Sequence, residues 1–536
     1  MRNKEIDVLI VGAGTAGLAT AIRLKDRLRE TGRSGSVVVI DKAPKPGYHA
    51  LSGAVFEDHC LDALVPGWRS DEAPFVKHLS EQRVIRDNIY FLMKHFAVPL
   101  PGVVLPKALK HKGDALISAS KLIDWLVRRA AAMGVELYSG FSAHRILIEN
   151  RRVKGVVLGE KGVNRHGHRQ SNYMPEEILR AKVTVFADGC LGTLSTKLIR
   201  EFRLDDGKNP QVYSLGVKQI LKLPEANRFG SNRALHTIGY PNRYDVMGGG
   251  LLYDMGKNTV AVGLAMGLDW RYCDLDPEQE LELFKSHPFI ARLIEGGEVV
   301  AAGVKTIPEG GYFSVPKLHA DGALIVGDAA GLLNMKKLKG LHLSIQSGMA
   351  AGDTVAEALA KNDTSDAALR AYDDRLRAMG AMTELRTARN FRQGFTTPLG
   401  LFAGGPLMYI QHLLPVRLKL KPDHVHATLK HIRRAYGARL DHKTFVGLSG
   451  ALHDEELKPH ITILSVDTCR ACMEKYKNPC VKFCPGEIYT LDEIGRSITV
   501  SAADCMHCKT CMVKCPEQNI VWEAPEGGQG PRYRAM

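Results

Sequence analysis

The sequence predicts a mixed α/β protein that begins with a dinucleotide-binding fold and ends in a small cysteine-rich domain. Two observations carry this prediction. An apolar run near the start leads directly into a glycine-rich turn, and eight of the 11 cysteines lie between Cys469 and Cys515. The length of 536 residues and the hydrophobic content of 45% suffice for two to four domains. We expect residues 1–460 to form one interwoven region and residues 461–536 the cysteine-rich domain.

The first unit of the chain reads as strand, turn, helix and strand. IDVLIV at 6–11 is a short apolar strand, GAGTAG at 12–17 is the turn, and LATAIRLKDRL then repeats apolar residues at helical spacing up to Gly32. SVVVID is a second strand that ends in Asp41. A G-x-G-x-x-G turn in this context indicates a dinucleotide site, and a glycine turn without a ligand is the alternative.

The residues of this unit have separate roles. Gly12 permits the tight turn, Gly14 lets the backbone approach a pyrophosphate, and Gly17 lets the helix pack closely on the sheet. The N-terminus of that helix supplies N–H groups and a partial positive charge. Asp41 is placed to accept hydrogen bonds from a ribose.

Two later strands favour FAD over NAD as the dinucleotide. AKVTVFADGCLG places Asp188 and Gly189 at the end of an apolar strand, and GALIVGDAAGLLN places Gly327 and Asp328 at the end of another, before a helix. Such an end offers a carboxylate to a ribityl hydroxyl and a helix N-terminus to a flavin ring. Repeated returns of the chain to one cofactor suit an extended FAD.

The cysteines predict iron–sulfur clusters. CMHCKTCMVKCP at 505–516 has the C-x2-C-x2-C-x3-C-P spacing of bacterial ferredoxins, and CRACMEKYKNPCVKFCP at 469–485 is a longer variant of it. In two-cluster ferredoxins the last cysteine of each run ligates the other cluster. Two [4Fe-4S] clusters, and at least one, are therefore expected. The first set is Cys469, Cys472, Cys480 and Cys515; the second is Cys484, Cys505, Cys508 and Cys511.

Zinc is the alternative for these cysteines, because two C-x2-C pairs can form a ribbon, but two C-x3-C-P endings disfavour it. Cys60, Cys190 and Cys273 are left over and are expected to be structural. The N-terminus carries no recognisable signal or transit peptide and no run of 18 apolar residues occurs, so a cytoplasmic protein that does not span a membrane is expected. The net charge of +14 is spread along the chain, which favours an acidic partner or an anionic membrane over nucleic acid.

Several longer stretches resemble one family. They include VGAGTAGLATAIRLK, LSGAVF, KVTVFADGCLG, GGGLLY, VGLAMGLDW, IEGGEVVAAGVKTIPEGGYFSVPKL, IVGDAAGLLNMKKLKGLHLSIQSGMAA and the last 30 residues. Nearly end to end, the chain resembles the electron-transfer flavoprotein:ubiquinone oxidoreductases, within the glutathione-reductase-like flavoproteins that include the geranylgeranyl reductases. The resemblance implies an FAD-binding fold of that type, a mixed sheet that carries a quinone site, and a C-terminal ferredoxin-like domain.

The resemblance also implies particular sites. Gly248 and Gly249 match the pair whose backbone contacts the quinone carbonyl, although a bulge or hairpin is the plainer interpretation of GGG. Residues 399–421 are expected to form an interfacial helix with Arg417, Lys419 and Lys421 at the lipid headgroups. Residues 56–68 match a second membrane-facing segment but carry three acidic residues. A buried amphipathic core helix is the alternative for both segments.

The sequence departs from familiar members of this family by its extra cysteines. The familiar members carry one cluster, whereas this chain adds Cys469, Cys472, Cys480 and Cys515. In this respect it also resembles the subunits of electron-bifurcating electron-transfer-flavoprotein complexes, fused in one chain. We expect the additional cluster to act as an electron relay.

The predicted function is therefore transfer of electrons from reduced electron-transfer flavoprotein, through the clusters and FAD, to ubiquinone or menaquinone. The enzyme is expected to be peripheral or monotopic at the cytoplasmic face of the inner or cell membrane. One alternative is an FAD-dependent reductase of prenyl lipids fed by ferredoxin-like clusters. Another is a ferredoxin-type carrier on a non-catalytic flavin scaffold.

Overall fold

The computed structural model describes residues 6–51, 53–397, 399–437, 439–492, 494 and 497–533. The strands are β1 (Ile6–Val11), β2 (Val37–Asp41), β3 (Ala54–Phe56), β4 (Arg86–Leu92), β5 (Ala97–Pro99), β6 (Ala115–Ile117), β7 (Glu136–Ser139), β8 (Ala143–Glu149), β9 (Arg152–Leu158), β10 (Lys161–Val163), β11 (Arg169–Met174), β12 (Glu177–Phe186), β13 (Tyr213–Lys222), β14 (Arg233–Gly239), β15 (Gly248–Asp254), β16 (Thr259–Gly267), β17 (Glu298–Pro308), β18 (His319–Ala320), β19 (Ala323–Ile325), β20 (Ile461–Ile463), β21 (Tyr489–Asp492), β22 (Ser497–Val500) and β23 (Ile520–Trp522).

The helices are α1 (Thr15–Glu30), α2 (Cys60–Leu64), α3 (Pro74–Glu81), α4 (Ala119–Ala132), α5 (Thr193–Phe202), α6 (Pro277–Ser286), α7 (Pro288–Leu293), α8 (Leu341–Ala360), α9 (Asp366–Leu369), α10 (Ala371–Ala378), α11 (Ala381–Thr387), α12 (Phe391–Gly394), α13 (Leu401–Ile410), α14 (His442–Ser449), α15 (Val466–Tyr476), α16 (Cys480–Phe483) and α17 (Thr510–Lys514).

The first sheet belongs to the dinucleotide-binding part of the chain. Its strand order is β18-β19-β12-β1-β2-β7, and β19, β12, β1, β2 and β7 run parallel to one another. Apolar residues of β1, β2, α1 and α8 form its core, which fits the prediction of short, continuously apolar strands. The strand, turn, helix and strand predicted over residues 6–41 are all present.

The second sheet has the order β17-β13-β16-β15-β14-β4-β5. Its neighbours are antiparallel except for β14 and β4, which are parallel. One face packs on α6, where Phe284 belongs to the same core as Leu252 and Leu264. The opposite face carries Tyr253, Ile220 and other residues that alternate with these. This opposite face, called the flavin-side face below, turns toward the first sheet.

The cysteine-rich end is built from short elements. Strands β20 and β23 pair, strands β21 and β22 pair, and helices α15, α16 and α17 carry cysteines. This end shares one hydrophobic core with the second sheet. The glycine-rich tail returns to the body of the protein, as expected: the Gly528 N–H donates to Lys42 O and the Tyr533 N–H donates to Tyr48 O. The last three residues of the tail lie outside the described residues.

Candidate functional site

A cavity of about 390 Å³ lies at the carboxyl ends of β1, β2 and β12. Three separate sequence motifs meet there, as predicted. Six of the eight expected FAD residues line the cavity, namely Gly12, Gly14, Asp41, Asp188, Gly189 and Asp328. Gly17 and Gly327 lie behind the wall, where Gly17 packs against the carbonyl of Gly12 and Gly327 packs against Ala16.

The glycines of the first turn differ in what surrounds them. A Cβ on Gly12 would lie 2.3 Å from Ala187 O, and one on Gly17 would lie 2.0 Å from Gly12 O. Gly12 also has a φ of +111°, which disfavours an L side chain. A Cβ on Gly14 would meet nothing within 4 Å. Gly12 and Gly17 are therefore required by packing, whereas the space at Gly14 opens into the cavity.

The three carboxylates of the cavity are held by different means. Asp41 accepts hydrogen bonds from the N–H groups of Ala13 and Ala43, at 2.8 and 2.7 Å. Asp188 uses Oδ2 to accept from Leu194 N at 2.8 Å and so caps α5, while its buried Oδ1 has no hydrogen-bond partner in the part of the chain that the structure describes. Burial raises the pKa of Asp328, and the charge of Lys305 opposes that rise. Asp188 thus offers a free acceptor atom to a ligand hydroxyl.

The prediction that a helix begins directly after Gly327-Asp328 is wrong in detail. A single 3-10 turn covers Gly327–Ala330, and the long helix α8 starts only at Leu341. The loop between them folds back, so that Gly340 and Leu341 line the cavity. The N-terminus of α8 therefore faces the site, with its unpaired N–H groups and partial positive charge.

Sequence reasoning missed six cationic or imidazole side chains of the cavity. They come from four distant parts of the chain and are Lys42, His49, Lys218, Lys305, His507 and Lys509. Burial, followed by the charges of Lys509 and Lys305, holds the pKa of Lys42 well below its usual range. Burial lowers the pKa of Lys509 to about 8. Single lysines without a motif carry no sequence signal, yet together they favour an anionic ligand such as the diphosphate of FAD.

The second cysteine set, called the proximal set, comprises Cys484, Cys505, Cys508 and Cys511. Burial and the neighbouring Cys508, Cys511 and Cys505 thiols raise the pKa of Cys484, as expected of thiols gathered in one place. The loop that carries this set also forms part of the cavity wall through Met506, His507 and Lys509. Thr306 Oγ1 donates to Cys508 O, and Lys509 Nζ donates to Leu191 O.

The first cysteine set, called the distal set, comprises Cys469, Cys472, Cys480 and Cys515. All four line one small cavity of about 20 Å³, whose remaining lining residues lie between Ile463 and Ile520. Helix α16 and its cap carry Cys480 and Cys484, and helix α17 and its cap carry Cys511 and Cys515. Each helix therefore contributes to both sets, at a spacing of one turn.

Burial makes both sets unfavourable places for bare thiolates. It raises the pKa of Cys472 and that of Cys505 to about 12 each. A positively charged metal centre reverses this effect, because coordinated thiols are deprotonated. The crowding of four thiols at each place thus suits an iron–sulfur cluster. The number of clusters, and the assignment of cysteines to them, stay predictions.

Gly248 and Gly249 lie at the start of β15 and are both partly accessible. Gly248 has a φ of +144°, and a Cβ there would lie 1.9 Å from Ala265 O. Gly249 pairs with Ala265, so the strand is regular here and the bulge interpretation does not hold. By alternation along β15 Gly249 belongs to the flavin-side face with Leu251 and Tyr253, and a Cβ on Gly249 would lie 2.1 Å from Thr237 O of the neighbouring strand. The contact of Gly248 and Gly249 with a quinone stays a prediction.

The two expected membrane-facing segments differ in the structure. Residues 56–68 contribute Phe56, Leu61 and Trp68 to the core, so the large apolar side chains of that segment do not face outward. Helix α13 instead exposes Phe402 at 68%, and Leu413 beyond it is 67% exposed. Arg417 does not extend freely, because its guanidinium donates to Asn209 Oδ1 at 3.0 and 3.1 Å.

A segment that sequence reasoning missed lies beside α13. Residues 93–104 expose Phe96 at 58% and Val103 at 89%, and the hydroxyl of Tyr409 donates to Val104 O. The two segments form one surface, called the apolar patch. It comprises Met93, Phe96, Val98, Val103, Val104, Leu399, Phe402, Tyr409, Ile410, Leu413 and Val416. No helix within the described residues has both the length and the apolar character needed to cross a bilayer.

Three protein-family models match the chain. The model described as "Electron transfer flavoprotein-ubiquinone oxidoreductase, 4Fe-4S" matches residues 438–534. The model "ETF-QO, ubiquinone-binding" matches residues 213–307, which include β13 to β16 and most of β17. The model "NAD(P)-binding Rossmann-like domain" matches residues 10–82. These matches cover the cysteine sets, most of the second sheet and the glycine turn, respectively.

Among solved structures, a geranylgeranyl bacteriochlorophyll reductase-like protein from Thermoplasma acidophilum superposes with a TM-score of 0.55 at 19% identity. It covers 76% of this chain and 90% of its own, and it supports the fold alone. Fold, cavity and cysteine sets together define the class: an FAD-type oxidoreductase with an iron–sulfur domain.

Full-length relatives identify the family within that class. The "Electron transfer flavoprotein-ubiquinone oxidoreductase" of Pseudomonas aeruginosa is 36% identical over 99% of both chains. A protein of Schizosaccharomyces pombe described as a probable mitochondrial member is 34% identical over 99% of this chain and 86% of its own. The chain belongs to the electron transfer flavoprotein-ubiquinone oxidoreductase family. Membership favours the first predicted function over the prenyl-lipid reductase and the non-catalytic carrier.

Proposed function

We propose that this oxidoreductase accepts electrons from reduced electron-transfer flavoprotein and delivers them to a membrane quinone. The observation that carries the proposal is the shared wall: the proximal cysteine loop lines the same cavity as the three FAD motifs. When bound, FAD supplies the exchange between single-electron and two-electron chemistry that quinone reduction requires. The cavity residues bind and orient it.

The roles of the cavity residues follow from their surroundings. The open space at Gly14 and the cations Lys42 and Lys509 suit the diphosphate. Asp41 suits the ribose, as in other dinucleotide sites, and the unpartnered Oδ1 of Asp188 suits a hydroxyl of the cofactor. Asp328 suits the ribityl chain and the N-terminus of α8 suits the flavin ring.

We further propose that two [4Fe-4S] clusters are bound, with the distal one as the entry relay. The distal set is lined only by residues of the C-terminal domain among those described, whereas the proximal set abuts the FAD cavity. An order of donor, distal cluster, proximal cluster and FAD follows from these positions. Replacing Cys472 should slow oxidation of the donor; an unchanged rate would contradict the relay.

The apolar patch is proposed to dock on the membrane as a monotopic surface. Exposed lysines lie close to its two segments in the sequence, with Lys94, Lys107 and Lys110 in or after the first and Lys419 after the second. Apolar side chains that enter the acyl region, with cations at the headgroups, are typical of interfacial segments. The patch adjoins the quinone strand, because Leu401 N donates to Tyr244 O at 2.6 Å, four residues before Gly248.

An anaerobic assay tests the electron route. Purified protein is mixed with reduced electron-transfer flavoprotein and a short-chain ubiquinone, or menaquinone in parallel, and quinol formation is followed. We expect turnover that is abolished in Cys508→Ala and retained in Cys273→Ala, a cysteine outside both sets. Flavin reduction without quinol formation would contradict the proposal and favour the prenyl-lipid reductase.

Location is tested separately. Cell fractionation with protease protection should place the protein on the cytoplasmic face of the inner or cell membrane. Recovery in the soluble fraction at physiological salt would contradict the membrane proposal without affecting the electron route.

A further inference from the structure

The loop that carries three of the proximal cysteines also forms part of the FAD cavity. Residues 505–511, called the proximal loop, contain Cys505, Cys508 and Cys511. Three of the residues between these cysteines line the cavity, namely Met506, His507 and Lys509. The proximal loop therefore belongs to two expected cofactors, because it supplies thiols for the cluster and part of the wall for FAD.

The backbone of the proximal loop does not hold its conformation by itself. His507 has a φ of +55° and Lys509 has a φ of +62°, in the left-handed region that residues with a side chain rarely adopt. Such residues stay there only where surrounding contacts fix them. The conformation that presents the cysteines therefore depends on what the loop contacts.

Two hydrogen bonds tie the proximal loop to segments that form the FAD cavity. Lys509 Nζ donates to the carbonyl of Leu191, two residues after Gly189 of the cavity wall. Leu191 has a φ of +53°, so two strained turns are bonded to each other. Thr306 of β17, which lines the cavity, donates from Oγ1 to the carbonyl of Cys508. Opening of the proximal loop therefore breaks bonds to the FAD-binding part of the protein.

Cations of the loop and of the cavity wall crowd together. Lys42 Nζ lies 4.8 Å and Lys509 Nζ lies 4.3 Å from the centroid of the Trp522 ring. Both lysines line the cavity, and Lys305 lines it as well. Like charges repel strongly where water does not screen them. An anionic diphosphate in the cavity offsets this repulsion and so favours the closed loop.

Ring packing joins the same parts. The ring of His507 lies 5.3 Å from that of His49, a cavity residue, and 5.2 Å from that of Trp522 in β23, centroid to centroid. Next to it, His453 Nε2 donates to the carbonyl of Cys505 at 2.9 Å. The side chain of His507 therefore fills the space between the cavity wall and the cysteine-rich domain.

The distal set offers an internal comparison. Among the described residues, none lines both the FAD cavity and the small cavity that the four distal cysteines surround. A ligand in the FAD cavity therefore has no direct contact through which to stabilise the distal set.

We propose that FAD and the proximal cluster bind cooperatively, because each stabilises the conformation of the proximal loop that the other requires, whereas the distal cluster stands outside this coupling. The inference rests on the proposed function, which supplies the two cofactors. Coupling between two binding equilibria is reciprocal, so FAD strengthens cluster binding by the factor by which the cluster strengthens FAD binding.

The first test uses the wild-type chain. Full-length protein that carries both clusters is freed of FAD by anaerobic dialysis against bromide, and an iron chelator is added with or without saturating FAD. The chelator reaches the proximal iron when the loop opens, so its rate follows the population of the open loop. The electron paramagnetic resonance signal that Cys484→Ala lacks should decay roughly 10- to 100-fold faster without FAD, and the other signal should change by less than about twofold.

The second test measures the reciprocal effect by fluorescence titration with FAD. Cys508→Ser, which lacks a proximal ligand, should bind FAD roughly 10- to 100-fold more weakly than the wild type. Cys472→Ser, which lacks a distal ligand, is the matched control and should bind FAD within about twofold of the wild type. Since the first test needs no variant, it decides the matter even where Cys508→Ser does not fold.

Lysine variants separate coupling from a purely structural role. Lys509→Met should reduce the ratio of the two chelation rates, with and without FAD, whereas Lys482→Met should keep it, because exposed Lys482 of α16 lines neither cavity. A structural role alone would speed iron loss equally in both conditions and leave the ratio unchanged.

An FAD effect below about twofold on the proximal signal, or an equal effect on the distal signal, would overturn the coupling. The proposed function fails separately: a chain that binds FAD and the proximal cluster cooperatively, yet passes no electrons to quinone, would refute that function and support the coupling.

Discussion

Removing two side chains of the apolar patch should release the protein from membranes without changing its chemistry. Phe402 is 68% exposed and Leu413 is 67% exposed. Full burial of such a side chain contributes about 1.5–3 kcal/mol, so the exposed two-thirds of each contributes about 1–2 kcal/mol when it enters lipid. The double variant Phe402→Ser/Leu413→Ser should therefore lose about 2–4 kcal/mol of membrane affinity.

This loss is large enough to measure by vesicle co-sedimentation. Because 1.4 kcal/mol is a factor of ten, binding should weaken by roughly 30- to 700-fold. Turnover of a short-chain quinone in solution should not change, whereas turnover of a long-chain quinone embedded in vesicles should fall with the binding. The matched control is Ile178→Ser, an exposed apolar residue of β12 outside the patch.

The reasoning would be refuted by two results. Binding unchanged within about twofold would mean that this surface does not enter the bilayer. A similar loss in Ile178→Ser would mean that general hydrophobicity, and not the patch, determines binding. Repeating the measurement with anionic and with neutral vesicles shows whether the lysines close to these segments add to the affinity.

Three further predictions concern the cofactors and the fold. Cys480→Ala and Cys515→Ala should each lower the iron content from about eight to about four per chain and lose the same signal in electron paramagnetic resonance, whereas Cys484→Ala should lose the other. Gly14→Ala should fold normally, because no atom lies within 4 Å of the added carbon, yet bind FAD at least about tenfold more weakly in fluorescence titration. Burial would raise the pKa of Glu384, but its interactions with His342, Lys337 and Asn334 hold that pKa at about 2. Glu384→Gln should therefore lower the free energy of unfolding at pH 7 by up to about 3 kcal/mol.

Each of these has a clear contradicting result. Loss of different signals in Cys480→Ala and Cys515→Ala would refute the crossed cysteine assignment. A folded Gly14→Ala protein with full FAD affinity would show that the diphosphate does not bind at that turn. A carboxyl whose pKa is lower in the folded protein than in the unfolded chain stabilises the fold at pH values above the pKa of the unfolded chain. The loss in free energy of unfolding that urea denaturation measures for Glu384→Gln should therefore shrink as the pH falls from about 4.5 toward 2. A deficit that is constant with pH would show that lost packing, and not charge, is responsible.

The local features of this protein were readable in the sequence. The glycine turn with Gly12, Gly14 and Gly17 was found because its backbone conformation and close packing demand glycine at fixed spacing. The cysteine sets were found because half of their members lie on two helices of about one turn and the caps of these helices, so the spacing along the chain reflects the spacing in space. Both signals arise within about 50 residues.

The tertiary structure decided what these local features contact. Lys42, Lys305 and Lys509 meet at one cavity, residues 93–104 lie against α13, and His236 of β14 is hydrogen-bonded to Tyr253 of the adjacent β15. The tertiary structure also decided where α8 begins: a loop that folds back separates its first residue, Leu341, from Asp328. The sequence by itself determined the cofactor motifs, since local geometry constrains neighbouring residues strongly. Contacts between residues hundreds of positions apart depend on how the sheets and helices pack, and a single lysine, histidine or exposed phenylalanine carries no trace of its partner along the chain.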